Sequence, residues 1–156
     1  MSLKLSMKLV FVSAFLCAGL GMGCPRIPQG VCRDFFALPA IEQQNRFRTL
    51  PVDQQLAVYR CGMTIEPPTL GFAYLIAEGS PKNISTLLDS LNNEKDESFR
   101  ADMMYIFEVV AERGDLKGRE DVVRQLMTVV SGMHGARRED AREHLLKIEN
   151  ATGVRD

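Results

Sequence analysis

The residues that could do chemistry in this chain are few: four cysteines, Cys17, Cys24, Cys32 and Cys61, and two histidines, His134 and His144. A cysteine acts as nucleophile or metal ligand only as its thiolate, which needs a nearby base or cation. No Cys-x-x-Cys pair and no Gly-rich phosphate loop is present. A zinc site takes three or four ligands at close spacing, and neither histidine has a second His or Cys near it in sequence. His134 sits between glycines in a turn, and His144 falls on the polar side of the last helix. The sequence therefore predicts no enzyme, no metal and no cofactor. The rival reading, a small thiol-active enzyme using Cys32 or Cys61 with His134 or His144, requires a free thiol of lowered pKa.

Two structural roles remain for Cys32 and Cys61. They can be small buried apolar side chains, or they can join in a disulfide. A bridge between them would close a loop of roughly 30 residues, worth about 3.5 kcal/mol in the chain-entropy model. The choice depends on the compartment, because disulfides persist where the environment oxidises.

The first two dozen residues speak to that. Lys4 and Lys8 precede an apolar run from Leu9 to Gly23 that stops at Cys24. A basic start, an apolar stretch of about 7 to 15 residues and small residues before the cut are the marks of an export signal. A membrane span needs about 20 apolar residues, and Pro25, Arg26 and Pro28 close the run; an uncleaved amphiphilic anchor is the alternative. Met7 could equally open the signal.

Leu20-Gly21-Met22-Gly23-Cys24 resembles the lipobox of bacterial lipoproteins, in which small residues precede a Cys that is lipidated and becomes N-terminal. Gly23 fits that family, whereas Gly21 and Met22 depart from it, and the Gly-x-Gly spacing also suits an ordinary signal peptidase. Both cut before Cys24. The resemblance implies lipidation of Cys24, which would leave Cys32 and Cys61 as an even pair. Several acyl chains would anchor the protein durably. Pro25 stands where an Asp favours the inner membrane in Gram-negative lipoproteins, so the resemblance implies the outer membrane or periplasm.

Loss of residues 1–23 leaves 133 of the 156 residues, enough for one domain. The chain has 19 basic and 20 acidic residues, and without Lys4 and Lys8 the net charge is −3. That balance predicts no nucleic-acid partner, which would call for a strongly basic face. Residues 24–39, broken by Pro25, Pro28, Gly30 and Pro39, read as a tether with one short turn near Arg33 to Leu38.

Helices are predicted through the body, residues 40–156. Ala40 to Thr49 builds on Ile41 and Phe47; Val52, Leu56, Tyr59 and Met63 form the next stripe behind Pro51. The stretch Thr69 to Glu78 is apolar nearly all round and predicts a buried helix ended by Gly79. Ser80 is expected to cap the following helix, with Pro81 at its first position and Ile84, Leu87, Leu88 and Leu91 at i, i+3, i+4 and i+7. After the polar turn Asn92 to Asp96 come Phe99, Met103, Ile106, Phe107 and Val110, closed by Gly114. A last pair carries Val122 to Met133 and Ala141, Leu145 and Ile148, with Gly132, Gly135 and Arg137-Arg138 at the turn. Acidic clusters at Glu94 to Glu97 and Glu120-Asp121 lie where helices start, where the dipole favours carboxylates. Arg137-Arg138 could meet anionic headgroups, and two glycosylation sequons, at Asn83 and Asn150, match a pattern common by chance.

The body is thus expected to be all-α, about seven helices in antiparallel pairs. Ile84 to Ala101, with Leu87-Leu88, Leu91, Asp96 and Arg100-Ala101, resembles the core of a HEAT-type repeat, and Val122 to Ile148 is a looser copy offset by about 36 to 42 residues. That resemblance implies a short right-handed array; an irregular helical bundle is the other architecture. Tyr59 to Met63, Pro67-Pro68 and Tyr74 to Ala77 also resemble uncharacterised bacterial helical-repeat proteins. Together these readings predict an exported, lipid-anchored interaction or assembly module of the bacterial cell envelope, whose partners would be the membrane and another envelope protein. A soluble periplasmic binder of an apolar ligand would instead need a cavity lined by Met and Phe side chains.

Overall fold

The structure, a computed structural model, describes residues 29–65 and 70–154. The expected signal segment, with Cys17 and Cys24, and Pro67-Pro68 lie outside them. Eight helices follow one another: α1 (Gln29–Phe36), α2 (Ala40–Thr49), α3 (Val52–Met63), α4 (Gly71–Glu78), α5 (Ser80–Asn93), α6 (Glu97–Glu112), α7 (Glu120–Ser131) and α8 (Gly135–Thr152). The fold is all-α, with no strand among the described residues.

Each helix packs on the helix two places away, and from α3 onward on a sequence neighbour as well. The odd-numbered helices consequently stack side by side as one layer, α1 on α3 on α5 on α7, and the even-numbered helices stack behind them. Short connections between amphipathic helices favour this arrangement, since each pair buries its stripe against the next.

Helix α6 lies in the middle of the even layer between α4 and α8. Its stripe was legible, but Met104, Glu108, Val109 and Ala111 are buried as well, because packing on three sides leaves little free circumference. Asp96 caps it, its Oδ1 accepting from the backbone N–H of Ser98 at 3.0 Å and Phe99 at 3.4 Å. At its other end Gly114 adopts φ +82°, a left-handed conformation that glycine takes without steric penalty. Leu116, in the turn beyond, is fully buried.

Several local expectations are corrected. The supposed tether contains a full helix, α1, held because Phe35 is buried among Phe36, Phe47 and Phe72, with ring centroids 5.3, 6.4 and 5.8 Å away. Such aromatic pairs add about 0.5–1.5 kcal/mol each beyond their burial. In α2 only Phe47 turns inward, and Ile41 is 72% exposed. Helix α4 is not buried all round, since Tyr74 is 50% exposed. Ser80 is the first residue of α5 rather than its cap, and its hydroxyl donates to Asp115 Oδ2 at 2.9 Å. Arg137 and Arg138 belong to the first turn of α8, which begins at Gly135.

Candidate functional site

The odd layer carries a cleft of about 760 Å³. Helix α3 and its C-terminal cap supply its floor through Asp53, Leu56, Ala57, Arg60, Cys61 and Thr64. These positions run at i, i+3, i+4, i+7, i+8 and i+11, one face of a helix over about 16 Å at 1.5 Å per residue. Phe99 and Met103 reach the floor from α6 behind. On one side stands α1 with Cys32, Arg33 and Phe36; on the other stands α5 with Thr86, Asp89, Ser90 and Asn93, again at i, i+3, i+4 and i+7. Ile65, just past α3, closes one end.

The pattern that put Ile84, Leu87, Leu88 and Leu91 in the core is what turns this polar stripe of α5 outward. Two of its donors turn back to its own backbone. Ser90 Oγ donates to the Thr86 carbonyl and Asn93 Nδ2 to the Asp89 carbonyl, both at 2.8 Å. The wall offers the Asp89 carboxylate with the Ser90 hydroxyl and Asn93 amide oxygens as acceptors, and the Thr86 hydroxyl and the second Asn93 N–H as donors.

Cys32 and Cys61 are joined in a disulfide, with Cα atoms 6.1 Å apart, and so hold the α1 wall to the floor. Arg60 lies over the Phe99 ring, 4.0 Å from its centroid, and pairs with Glu94 and, at 3.6 Å, with Asp96. Glu94 is buried, and its Oε1 accepts the backbone N–H groups of Lys95 and Asp96 at 2.9 Å each. One carboxylate thus fixes both the α5–α6 turn and the Arg60 guanidinium. By contrast Arg33, Asp53 and Asp89 form no ion pair among the described residues.

The histidines lie elsewhere. His134 is exposed, with Nδ1 3.4 Å from Glu97. The surface position expected for His144 is corrected: only 23% of its side chain is exposed, and its Nδ1 meets Glu108 Oε2 at 2.6 Å. Glu108, buried in α6, also accepts from Lys147 Nζ at 3.1 and 3.3 Å, which raises the Lys147 pKa. The imidazole packs on Tyr105, 5.6 Å between centroids, and the Tyr105 hydroxyl is 3.2 Å from that of Tyr74. Burial first, then the Tyr74 hydrogen bond, pushes Tyr105 up to about 12. The Glu108 carboxylate, satisfied by two donors, staples α6 to α8, and the two tyrosines add α4. Between the layers, the Tyr59 hydroxyl donates to the Asp102 carbonyl at 3.2 Å. Burial and the Asp102 charge raise the Tyr59 phenol well above its usual range.

Of the residues singled out in sequence, the structure brings together Cys32 and Cys61 and places both on the cleft, while neither histidine lines it. Among the described residues no group of three or more His, Cys, Asp or Glu is arranged to hold a metal ion, and no helix is long and apolar enough to cross a membrane. The cleft itself was not foreseen. Its one sequence signal was the second stripe of α3, which includes Cys61. Comparison with known proteins yields no matching family, no matching curated protein and no matching solved structure.

Proposed function

We propose that this protein is an exported, lipid-anchored helical module that binds another protein of the bacterial cell envelope through the cleft on its odd layer. The observation that carries this reading is the cleft: apolar side chains on its floor, charges on its rim that form no ion pair among the described residues, and a disulfide bracing one wall. A surface of that make-up suits an interface whose apolar centre is ringed by polar residues. Stacked helix pairs hold it rigid. The disulfide supports residence in an oxidising compartment, as the export signal before Cys24 implies, and the HEAT-like pairing is in keeping with the two stacked layers.

Intact mass of the protein from the membrane fraction, before and after reduction, tests the anchor. The expected mass begins at Cys24 and includes acyl chains, with two thiols appearing only on reduction. An unmodified mass with reactive native thiols would overturn the anchor and favour the thiol-active alternative. Photo-crosslinkers placed at Thr86, on the cleft, and at Glu143, on α8, test the binding face. Crosslinks to an envelope protein from Thr86 and not from Glu143 are expected; the reverse pattern would remove the cleft from the function.

The cleft also has Phe36, Phe99 and Met103 on its lining, the side chains that a binder of a small apolar ligand would use. Saturable binding of the neutral dye N-phenyl-1-naphthylamine, competed by an alkyl chain and not by protein, would move that reading to the front.

A further inference from the structure

The cleft is a trough with unlike walls, and its shape and charge describe what fills it. Along the floor, α3 presents the set of positions that one helix turns toward another lying beside it, and the described chain lays no helix along that face. Within the odd layer α1 and α5 both pack on α3, so they border the vacancy on either side. The α1 border carries Arg33, a cation without an ion pair among the described residues. The α5 border carries Asp89, likewise without an ion pair among the described residues, beside Ser90 and Asn93. Arg60, the other cation on the lining, is already taken by Glu94 and Asp96.

We propose that the trough seats one amphipathic α-helix of the partner protein, about three turns long, laid along α3. Its apolar seam rests over Phe36, Ala57 and Ile65, the lining apolar side chains that stay partly exposed, one edge bears basic residues against Asp89, and the other bears acidic residues against Arg33. Helix-in-groove recognition of this kind is read through anchors at i, i+3, i+4 and i+7, and charges at the rim set partner choice more than affinity. The proposal rests on the protein-binding reading above and adds the partner's local structure and charge pattern.

The test uses the full mature chain and three labelled peptides that share one Leu seam of about three turns. They differ only in their edges: Lys on one and Glu on the other, Lys on both, or Glu on both. Fluorescence anisotropy should rank the mixed-edge peptide first in wild type. Asp89→Lys, a change on an exposed position, makes both borders cationic and should shift the preference about fivefold toward the Glu-edged peptide, the size of one exposed charge pair. Arg33→Glu should shift it equally toward the Lys-edged peptide, and salt should shrink both effects. Ala57→Trp, which fills the floor, should abolish binding of all three while the circular dichroism stays helical.

Equal binding of the three peptides, or preferences indifferent to Asp89→Lys and Arg33→Glu, would overturn the proposal. So would a concentration-dependent dimer that Ala57→Trp abolishes, which would assign the trough to a second copy. Failure of all three peptides while Thr86 still crosslinks an envelope protein would sink the helix and leave the interaction module standing. Failure of peptides and crosslinks together would remove both.

Discussion

Single side chains in this protein act mostly by completing the backbone of a neighbouring helix. Asp96 satisfies two free N–H groups at the start of α6, so Asp96→Ala should cost about 1 kcal/mol in urea unfolding; an unchanged midpoint would show that water replaces it. Asp102 makes a pH prediction. Its carboxyl is raised above its ordinary 3.8, by burial first, with Asp96 and Asp140 adding to the rise and Arg137 and His144 opposing it. A raised folded-state pKa means the folded chain holds the proton more tightly, so that stability is present in full below the unfolded value and is lost as pH rises through the folded one. Asp102→Asn stays neutral and should gain on wild type across that window. Melting temperatures from about pH 3 to about pH 7 check this, and a constant offset would contradict it. The capping role of the acidic cluster was readable from its place before an apolar stripe. The tie from His144 to Glu108 was not, because the two residues lie 36 apart and only the packing of α8 on α6 brings them together.

At the scale of elements, α1 and the α6–α7 turn depend on special covalent features. The disulfide fastens α1 to α3 across a separation of 29 residues. Replacing both cysteines by serine should lower stability by about 3.5 kcal/mol in the loop-entropy model. Cleavage by trypsin at Arg33 should speed up before cleavage in α5 to α8; uniform acceleration would mean that α1 and the rest unfold as one. Gly114 ends α6 with a positive φ, and open space around its Cβ direction leaves only Lys117 carbons at 4.0 Å. Gly114→Ala should therefore cost about 1 kcal/mol through backbone strain alone, read as a lower unfolding midpoint with an unchanged slope. Periodicity located α5, α6 and α7 because each has one clear stripe. It missed α1, whose few apolar residues sit among prolines and a glycine, and whose helix is held by aromatic contacts to α2 and α4.

For the whole molecule, burial is concentrated on α6, and the terminal pairs have a neighbour on one side only. In a stack where each pair contacts the next, the middle should be the last to open. Amide exchange should be slowest in α6 and fastest in α1 and α2 once the disulfide is reduced; equal protection throughout would show a single cooperative unit. The sequence by itself determined the helical class and most helix positions, because these follow from the 3.6-residue period and from caps and turns; it left Cys32 and Cys61 between a bridge and two buried thiols, and the packing of α1 on α3 decided for the bridge. Only the tertiary structure decided which stripes face one another. A helix of this chain can bury one face and still present another, as α3 and α5 do, and nothing in the period of either says that their outer faces meet across a trough. The cleft and the Glu108 staple arise from residues far apart in the chain, brought together when the two layers close.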